Sequence, residues 1–431
     1  MNQDTTPDVR KPLVLYFHVH QPRRLRRFGF LDIGDGQEYF NDALNAELIQ
    51  RAAKRCYLPV NAMLTNLCKD MQGIRLTFSI SGVMLTQLAK FAPEVMESFR
   101  TLVNTGCVEL LAETSHHSLA CLLPNEEFPK QIQEHVSLME KYFNVRPTVF
   151  RNTELIYNNG IGSRVAQMGF TGTICDDVDR VLKHNSHHAI YHHPSHDDFR
   201  ILLRNNVLSD DIGFRFVTGT GTLELDRYFR SIESSTGVTT LAFDYETFGE
   251  HVPETAGIIN FLHGFIEKAA KSDRVRLMTP SDVFKAYRPY DKLDVPEFIS
   301  WADQDKDLSA WLENEIQNEA FTLMQGLEEQ VMKVANPELI DTWRNLQTSD
   351  HFYYMSTKTA GDGEVHSYFS PYNSPYEAYI NYMNILNDFK LKLQKAPPHD
   401  HTETTEFERR HENVPVWAEK AQADYHELTS R

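Results

Sequence analysis

Alternating strand-like and helix-like runs place this chain in the α/β class, as a barrel of parallel strands followed by a helical region. Three observations carry that expectation. Between residue 12 and about residue 290 strand candidates recur with helix candidates between several of them, the pattern of a parallel sheet. Seven or eight strands in that length suit a TIM-like barrel better than a dinucleotide-binding sheet, and no GxGxxG follows the first strand. After about residue 295 the Val-rich strands vanish and helix-like stretches remain.

The strand candidates are 13–17, 75–80, 108–112, 148–150, 172–175, 200–203, 239–243 and 276–278. Most are rich in the apolar, β-branched and aromatic residues that strands favour. Helix candidates between them include 84–104, 126–143, 162–168, 223–232 and 256–271. Further on come 308–334, 337–345 and 375–393; the first is apolar at Leu308, Trp311, Leu312, Ile316, Ala320 and Leu323, a three-to-four residue spacing. The expected organisation is a barrel over 1–295, a helical region over 296–395 that adds to the substrate cleft, and a polar tail over 396–431. No internal repeat is evident.

The 431 residues suffice for a large core. A hydrophobic content of 41% and a charged content of 24% are ordinary for a soluble globular protein. The net charge of −17 argues against nucleic acid or anionic lipid as partner, since both are bound through basic surface, and suits a neutral polymer such as a glucan. No apolar run approaches the ~20 residues that span a membrane. The polar start, Met1 to Pro7, lacks the apolar core of a signal peptide. A cytoplasmic protein is expected. Cys56, Cys68, Cys107, Cys121 and Cys175 are odd in number, widely spread and without a CxxC pair, which reads as reduced thiols.

Two stretches carry the chemistry. Phe150-Arg151-Asn152-Thr153-Glu154 puts a carboxylate at the end of one strand candidate. Phe243-Asp244-Tyr245-Glu246-Thr247-Phe248-Gly249-Glu250-His251 does so at the end of another. In a parallel barrel these ends share the rim that holds the active site. Two carboxylates facing each other across a cleft are the equipment for cleaving a glycosidic bond. A lone carboxylate at a strand end is usually a solvated loop residue or a helix cap, so the pair matters more than either member.

Five ordered segments make the chain resemble glycoside hydrolase family 57, in its α-amylase-like branch. They are Phe17-His18-Val19-His20-Gln21-Pro22; Gly106 to Glu113 running into Thr114-Ser115-His116-His117-Ser118-Leu119; the Glu154 and Asp244 stretches; and Ile299-Ser300-Trp301-Ala302-Asp303 through Asp307 to Leu312. Family-like text recurs at 208–216, 350–355 and 369–372, so the resemblance covers roughly 12–393. It implies an incomplete TIM-like (β/α)7 barrel with a helical C-terminal domain, and retaining chemistry on α-1,4-glucans such as starch, glycogen and maltooligosaccharides. By the same resemblance Glu154 matches the nucleophile and Asp244 the general acid/base, while His20, Glu109 and His117 line the sugar cleft. Two departures bear on substrate length and linkage. The branch often has Tyr-Tyr-His where this chain has Ser115-His116-His117, and the segment 184–196 is unusually rich in histidine.

The residues themselves add detail. A retaining enzyme needs one ionised carboxylate and one protonated carboxyl roughly 5–5.5 Å apart, so Asp244 is expected to have a raised pKa, from burial or from the charge of Glu154. Arg151 is placed to keep Glu154 ionised. His18 and His20 alternate around Val19 and share a face, suited to sugar hydroxyls. Glu246 is expected to point the way Asp244 does, which leaves the two roles open to exchange. Glu250 and His251 read as loop residues. Trp301 precedes the helical stretch and suits stacking on a sugar ring; Trp311 lies in an apolar stripe and reads as core. Glu109 is either a ligand or a buried hydrogen-bonding carboxylate. His192, His193 and His196 or Asp197 are of zinc-ligand type, but the surrounding Asn185, Ser186 and Pro194 suggest a surface loop. The reading calls for no metal and no cofactor, and leaves oligomeric state open. It leaves open a 4-α-glucanotransferase with the same carboxylates, a glucan-binding protein without turnover, and a metal-dependent deacetylase-like barrel.

Overall fold

The computed structural model describes residues 10–218, 221–358 and 370–397. The expected polar tail lies outside the described residues from 398 onward. Seven strands form the barrel: β1 (Lys11–Val19), β2 (Leu76–Ile80), β3 (Val108–Leu110), β4 (Val149–Arg151), β5 (Gly172–Asp176), β6 (His196–Arg204) and β7 (Thr239–Asp244). Every neighbouring pair is parallel. β1 pairs with β2 and β7, β2 with β3, β4 with β5, and β5 with β6. Two seams are thin. β6 and β7 meet at Arg204 and Thr240. β3 and β4 meet just beyond β3, through a bridge from Ala112 to Phe150, where Arg151 N–H donates to the Ala112 carbonyl at 2.7 Å. With that bridge the ring closes on seven staves.

An eighth predicted strand, β8 (Val275–Leu277), pairs only with the start of β1. Leu13 pairs with both Thr239 and Leu277, so β8 lies on the β2 side of β1 and props its base.

Period two sorts the strand residues. Leu13, Leu15, Phe17 and Val19 of β1 join one large apolar cluster with the outer helices, including Ile49, Leu64, Leu88, Phe99, Phe261 and Phe265. Val14 and Tyr16 point the other way, into a small cluster with Leu111, Val149, Ile174, Leu202 and Ala242. That second set comes from five strands and the extension of β3 and fills the barrel interior, as expected of strands buried on both faces. In five strands and in the extension of β3, the residue two further on is polar: His18, Glu113, Arg151, Asp176, Arg204 and Asp244. A charged layer therefore caps the apolar one at the C-terminal end of the barrel.

Helices break where local chemistry requires. The stretch expected as one helix over 84–104 forms Gly82–Phe91 and Pro93–Val103. Pro93 disfavours a helical Ala92 and lacks the N–H to continue the ladder. The stretch over 308–334 forms three helices, Ser309–Leu312, Glu315–Gln325 and Glu328–Val334. Asn314 caps the middle one in a box with Gln317. The His-rich segment is not a plain loop: Tyr191–His193 pairs antiparallel with β6. Among the described residues, no helix is long and apolar enough to cross a membrane.

The helical region shares a core with the barrel. Trp311, Met324, Trp343, Phe352, Tyr382 and Phe389 cluster with Ala112, Phe150, Cys175, Ile201 and Leu203 from the strands. Trp343 is fully buried, and its indole N–H donates to the Met324 carbonyl at 3.0 Å. Trp343→Ala should cost about 3–5 kcal/mol. In a denaturant titration, signals from barrel and helical region should shift to lower midpoint together; two separate transitions would show that the regions do not share a core.

Candidate active site

A cavity of about 370 Å³ opens over the charged layer. His18, His20, His117, Glu154, Asp244, Glu246 and Trp301 line it, as the sequence leads one to expect. Arg151 lies fully buried beneath it. The helical region contributes Trp301, Lys306, Trp311, Asp350, Tyr353 and Tyr354. Trp311 is thus both core and cavity wall.

Glu154 follows β4 in a short turn and has left-handed backbone angles, φ 55° and ψ 25°; Leu155 (φ 51°) shares that region. Such conformations cost of order 1–3 kcal/mol for a non-glycine residue. Leu155 holds the turn by burying in the barrel interior, which leaves Glu154 at the rim. One carboxylate oxygen accepts from His117 Nε2 at 3.1 Å and from the Ser349 hydroxyl at 3.3 Å. The other accepts from the Trp301 indole N–H at 2.6 Å. Burial alone would raise the Glu154 pKa. The His117 hydrogen bond and the charges of His117 and Arg151 outweigh it and hold the carboxyl below its ordinary value.

His117 is also left-handed, at φ 47°. Its Nδ1 faces the buried Glu113 carboxylate at 3.1 Å, and its ring stacks on His20 with centroids 3.9 Å apart. Burial would lower its pKa, but Glu113 and Glu154 raise it to about 9. His20 goes the other way, to about 4, through burial and the neighbouring His117 charge. His20 bonds Ser81 at 2.7 Å and Asp350 at 3.1 Å.

Asp244 lies on the opposite flank, with His18 Nδ1 at 3.4 Å and 39% of its side chain exposed. Its expected raised pKa is not found. Burial raises it, yet the hydrogen bond from His18 and the charges of His18, His251 and Arg151 bring it below the ordinary value. The raised carboxyl is Glu246. The strand ends at Asp244 and a 3-10 turn tucks Glu246 inward, where the Tyr57 hydroxyl lies 2.5 Å away. Burial, with the Asp244 charge, pushes Glu246 to about 8. The turn sits close over Arg55: Gly249 has φ 120°, and a β-carbon there would lie 2.0 Å from the Arg55 carbonyl oxygen.

Trp301 is clasped by charge as well. The guanidinium carbons of Arg151 and Arg204 lie 5.2 and 5.6 Å from its ring centroid. Lys306 Nζ reaches Asp176 at 2.5 Å, tying the loop after Trp301 to the end of β5. Arg204 joins Asp176 at 3.4 Å and Asp210 at 2.5 Å.

Glu109 does not line the cavity, contrary to its expected place in the sugar cleft, and takes the other expected reading, a hydrogen-bonding carboxylate. It lies on the inward face of β3, two residues before Leu111, and so at the opposite end of the apolar layer from the cavity. Its carboxylate accepts from the Ser281 backbone N–H at 3.0 Å and from the Ser281 hydroxyl. Glu113, two residues after Leu111, is the motif's glutamate at the cavity end. His116 turns away to Asp341 at 3.2 Å. Glu113, Asp176, Arg204, Lys306 and Asp350 were not singled out from sequence. For the first three the signal was present: each stands two residues beyond an apolar residue facing the barrel interior.

The histidine cluster is spent on local bonds. His187 pairs with Asp177 at 3.1 Å, His193 with the Asn159 carbonyl at 2.8 Å and His196 with Ser163 at 2.8 Å. Among the described residues, donor groups close enough together for a metal are His18, Glu113 and His117, and His20, His117 and Asp350. In the first, Arg151 Nη1 sits 3.3 Å from His18 Nε2 and 3.7 Å from Glu113, so a guanidinium already supplies the cation. In the second, both nitrogens of each histidine are engaged.

The cavity sits at the C-terminal rim of a parallel barrel, where barrel enzymes carry their active sites, and carboxylates, histidines and tryptophans line it. The family model described as "Glycosyl hydrolase family 57" matches residues 14–296. The chain belongs to glycosyl hydrolase family 57 and is a glycoside hydrolase by that membership. It is 37% identical over 399 residues to a Methanocaldococcus jannaschii protein named "Putative alpha-amylase", covering 88% of this chain and 84% of that one. Its fold is similar to a branching enzyme of the same family from Pyrococcus horikoshii, with a TM-score of 0.65, 16% identity, and 91% and 92% of the two chains covered. It is also similar to the 4-alpha-glucanotransferase of Thermococcus litoralis, with a TM-score of 0.60 and 17% identity. There the match covers 80% of this chain but only 56% of the longer enzyme.

The buried histidines set an acid limit on stability. An unfolded imidazole binds its proton near pH 6.5, whereas burial lowers His20 and His351 to about 4. Between those values the unfolded chain holds more protons, so stability falls as pH drops from about 6.5 toward 4. His117 has the opposite sign: its contribution is full below about 6.5 and is lost as pH rises through about 9. Calorimetric midpoints should therefore fall on both sides of neutrality, and His351→Asn should flatten the acid limb; an unchanged acid limb in that variant would contradict the burial of a neutral His351.

Proposed function

We propose that this enzyme cleaves α-1,4-glucans with retention of configuration, by double displacement. Glu154 attacks the anomeric carbon and forms a glycosyl ester, while a carboxyl on the opposite flank protonates the departing oxygen. Water then enters, loses its proton to that same carboxyl, and releases the sugar. The observation that carries this reading is Glu154 itself: ionised, fixed by three donors and held in a strained backbone at the cavity rim. The name of the M. jannaschii relative favours α-glucan as substrate. The match to a glucanotransferase fold keeps a glucan hydroxyl in play as acceptor instead of water.

The acid/base role goes to Asp244, which reaches the cavity on the flank away from Glu154's donors and is the more exposed carboxylate. In the ligand-free site it is ionised, so it must gain its proton as substrate excludes water and weakens its tie to His18. Glu246 is a second reading favoured by one observation: it lines the cavity and carries a proton up to about pH 8.

Incubation with maltoheptaose should give shorter oligosaccharides, and Glu154→Ala should reduce turnover by at least about 10⁴-fold with the circular dichroism spectrum kept. Products longer than the substrate would identify a transferase. No products from the unaltered enzyme would overturn the α-1,4 assignment. Aryl α-maltosides separate the two acid candidates, because a good leaving group needs no proton. The true acid, replaced by its amide, should lose about 10²–10⁴-fold on maltoheptaose and far less on an activated aryl glycoside. Asp244→Asn is expected to show that split; Glu246→Gln showing it instead would reassign the role.

A further inference from the structure

Glu113 does not line the cavity, yet it is a wholly enclosed charge beneath it, as Arg151 is. Its residue is wholly buried, one carboxylate oxygen faces His117 Nδ1 at 3.1 Å, and the same oxygen lies 3.7 Å from His18 Nε2 and from Arg151 Nη1. Its other oxygen is buried with no hydrogen-bond partner among the described residues. An ionised carboxylate so placed is costly unless it is paired.

The geometry of His117 gives the pairing a purpose. Both ring nitrogens face carboxylate oxygens at 3.1 Å, Nδ1 to Glu113 and Nε2 to Glu154. An ionised carboxylate only accepts, so a neutral imidazole would turn a lone pair toward one of the two. The imidazolium alone donates to both. We propose that Glu113 is a positioning residue that, through His117, keeps Glu154 ionised and aimed; this rests on the assignment of Glu154 as nucleophile.

The surrounding charges agree. From β1, Tyr16, His18 and His20 face the pair; from β4 and its turn, Arg151 and Glu154. The helix Glu127–Phe143 presents Glu134 and His135, whose Nδ1 accepts from the Glu113 backbone N–H at 3.3 Å. Asp350 faces it from the helical region. His20 and His135 are both held low by burial and stay neutral at neutral pH. His117 and Arg151 are the cations beside Glu113 and Glu154, and His18 lies between Glu113 and Asp244. Removing the Glu113 charge should release the His117 proton from Nδ1, leave a neutral Nε2–H donor on Glu154 and, with the imidazolium charge gone, raise that carboxyl.

The test reads His117 directly. Its ring nitrogens, assigned by comparison with His117→Gln, should both be protonated at pH 7 in the unaltered enzyme and titrate near pH 9 in the ring nitrogen spectrum. A neutral ring at pH 7 would overturn the proposal without any variant. In Glu113→Gln the proton should leave at least about one pH unit earlier. The alkaline limb of the kcat profile on maltoheptaose should move with it, and Glu113→Asp, which keeps the charge, should restore most of the shift. A uniform loss of activity with both titrations unmoved would make Glu113 a packing residue only. Should Glu113→Gln fail to fold, the unaltered enzyme and Glu113→Asp decide the matter. Should the unaltered enzyme turn over no α-glucan, the functional assignment fails, while the ring titration still reports on the Glu113–His117 pair.

Discussion

The site depends on one protonated imidazole held between two carboxylates. Like charges 4 Å apart repel by about 4 kcal/mol at an effective dielectric constant near 20, equivalent to about three pKa units. His117 and His20 stack at 3.9 Å, so a charge on one strongly disfavours a charge on the other. His117 has the Glu113 and Glu154 carboxylates as partners, whereas His20 has the Asp350 carboxylate and the neutral Ser81 hydroxyl. The proton therefore resides on His117, and the other protonation states follow from it. Glu154 stays ionised beside it, His20 stays neutral, and Arg151 neutralises the buried Glu113 from below. The flank that holds Asp244 and Glu246 is tuned separately, with His18 lowering the first and burial raising the second.

Barrel geometry delivers these groups. Val14, Leu111, Val149, Ile174, Leu202 and Ala242 face one interior, and the polar residues two or four positions later surround its upper end. Period two in short parallel strands is a strong local rule, which is why so much was legible in sequence. All eight strand segments form, seven of them closing the ring, and His18 and Asp244 reach the cavity at the expected rim, with Arg151 buried beneath them. The same rule would have shown Glu113, Asp176 and Arg204. It would also have separated Glu109 from Glu113, since one glutamate precedes Leu111 and the other follows it on the same face.

The rest was not legible because it depends on contacts between distant segments. Nothing local to Trp301 says that its indole N–H will hold Glu154, or that Arg151 and Arg204 will flank its ring. Asp350 and Ser349 reach the site from a helix whose placement follows from the shared core around Trp343 and Phe352. The low Asp244 and high Glu246 invert the local expectation because the sequence shows neither the tuck of the 3-10 turn nor the approach of Tyr57. The helix breaks at Ala92 and Asn314 were signalled locally, by Pro93 and by the Asn314–Gln317 box, and were obscured by the continuous apolar spacing around them.

Glu154 is the residue proposed as the nucleophile, and His117, Trp301 and Ser349 hold its carboxylate in place. A fluorinated α-maltosyl donor with an activated leaving group, incubated with the enzyme and followed by peptide mass mapping, tests that assignment most directly. A single glycosyl mass is expected on the peptide that contains Glu154, absent from Glu154→Ala. A glycosyl label on the Asp244–Glu246 peptide, or a turning-over enzyme that never accumulates one, would contradict it.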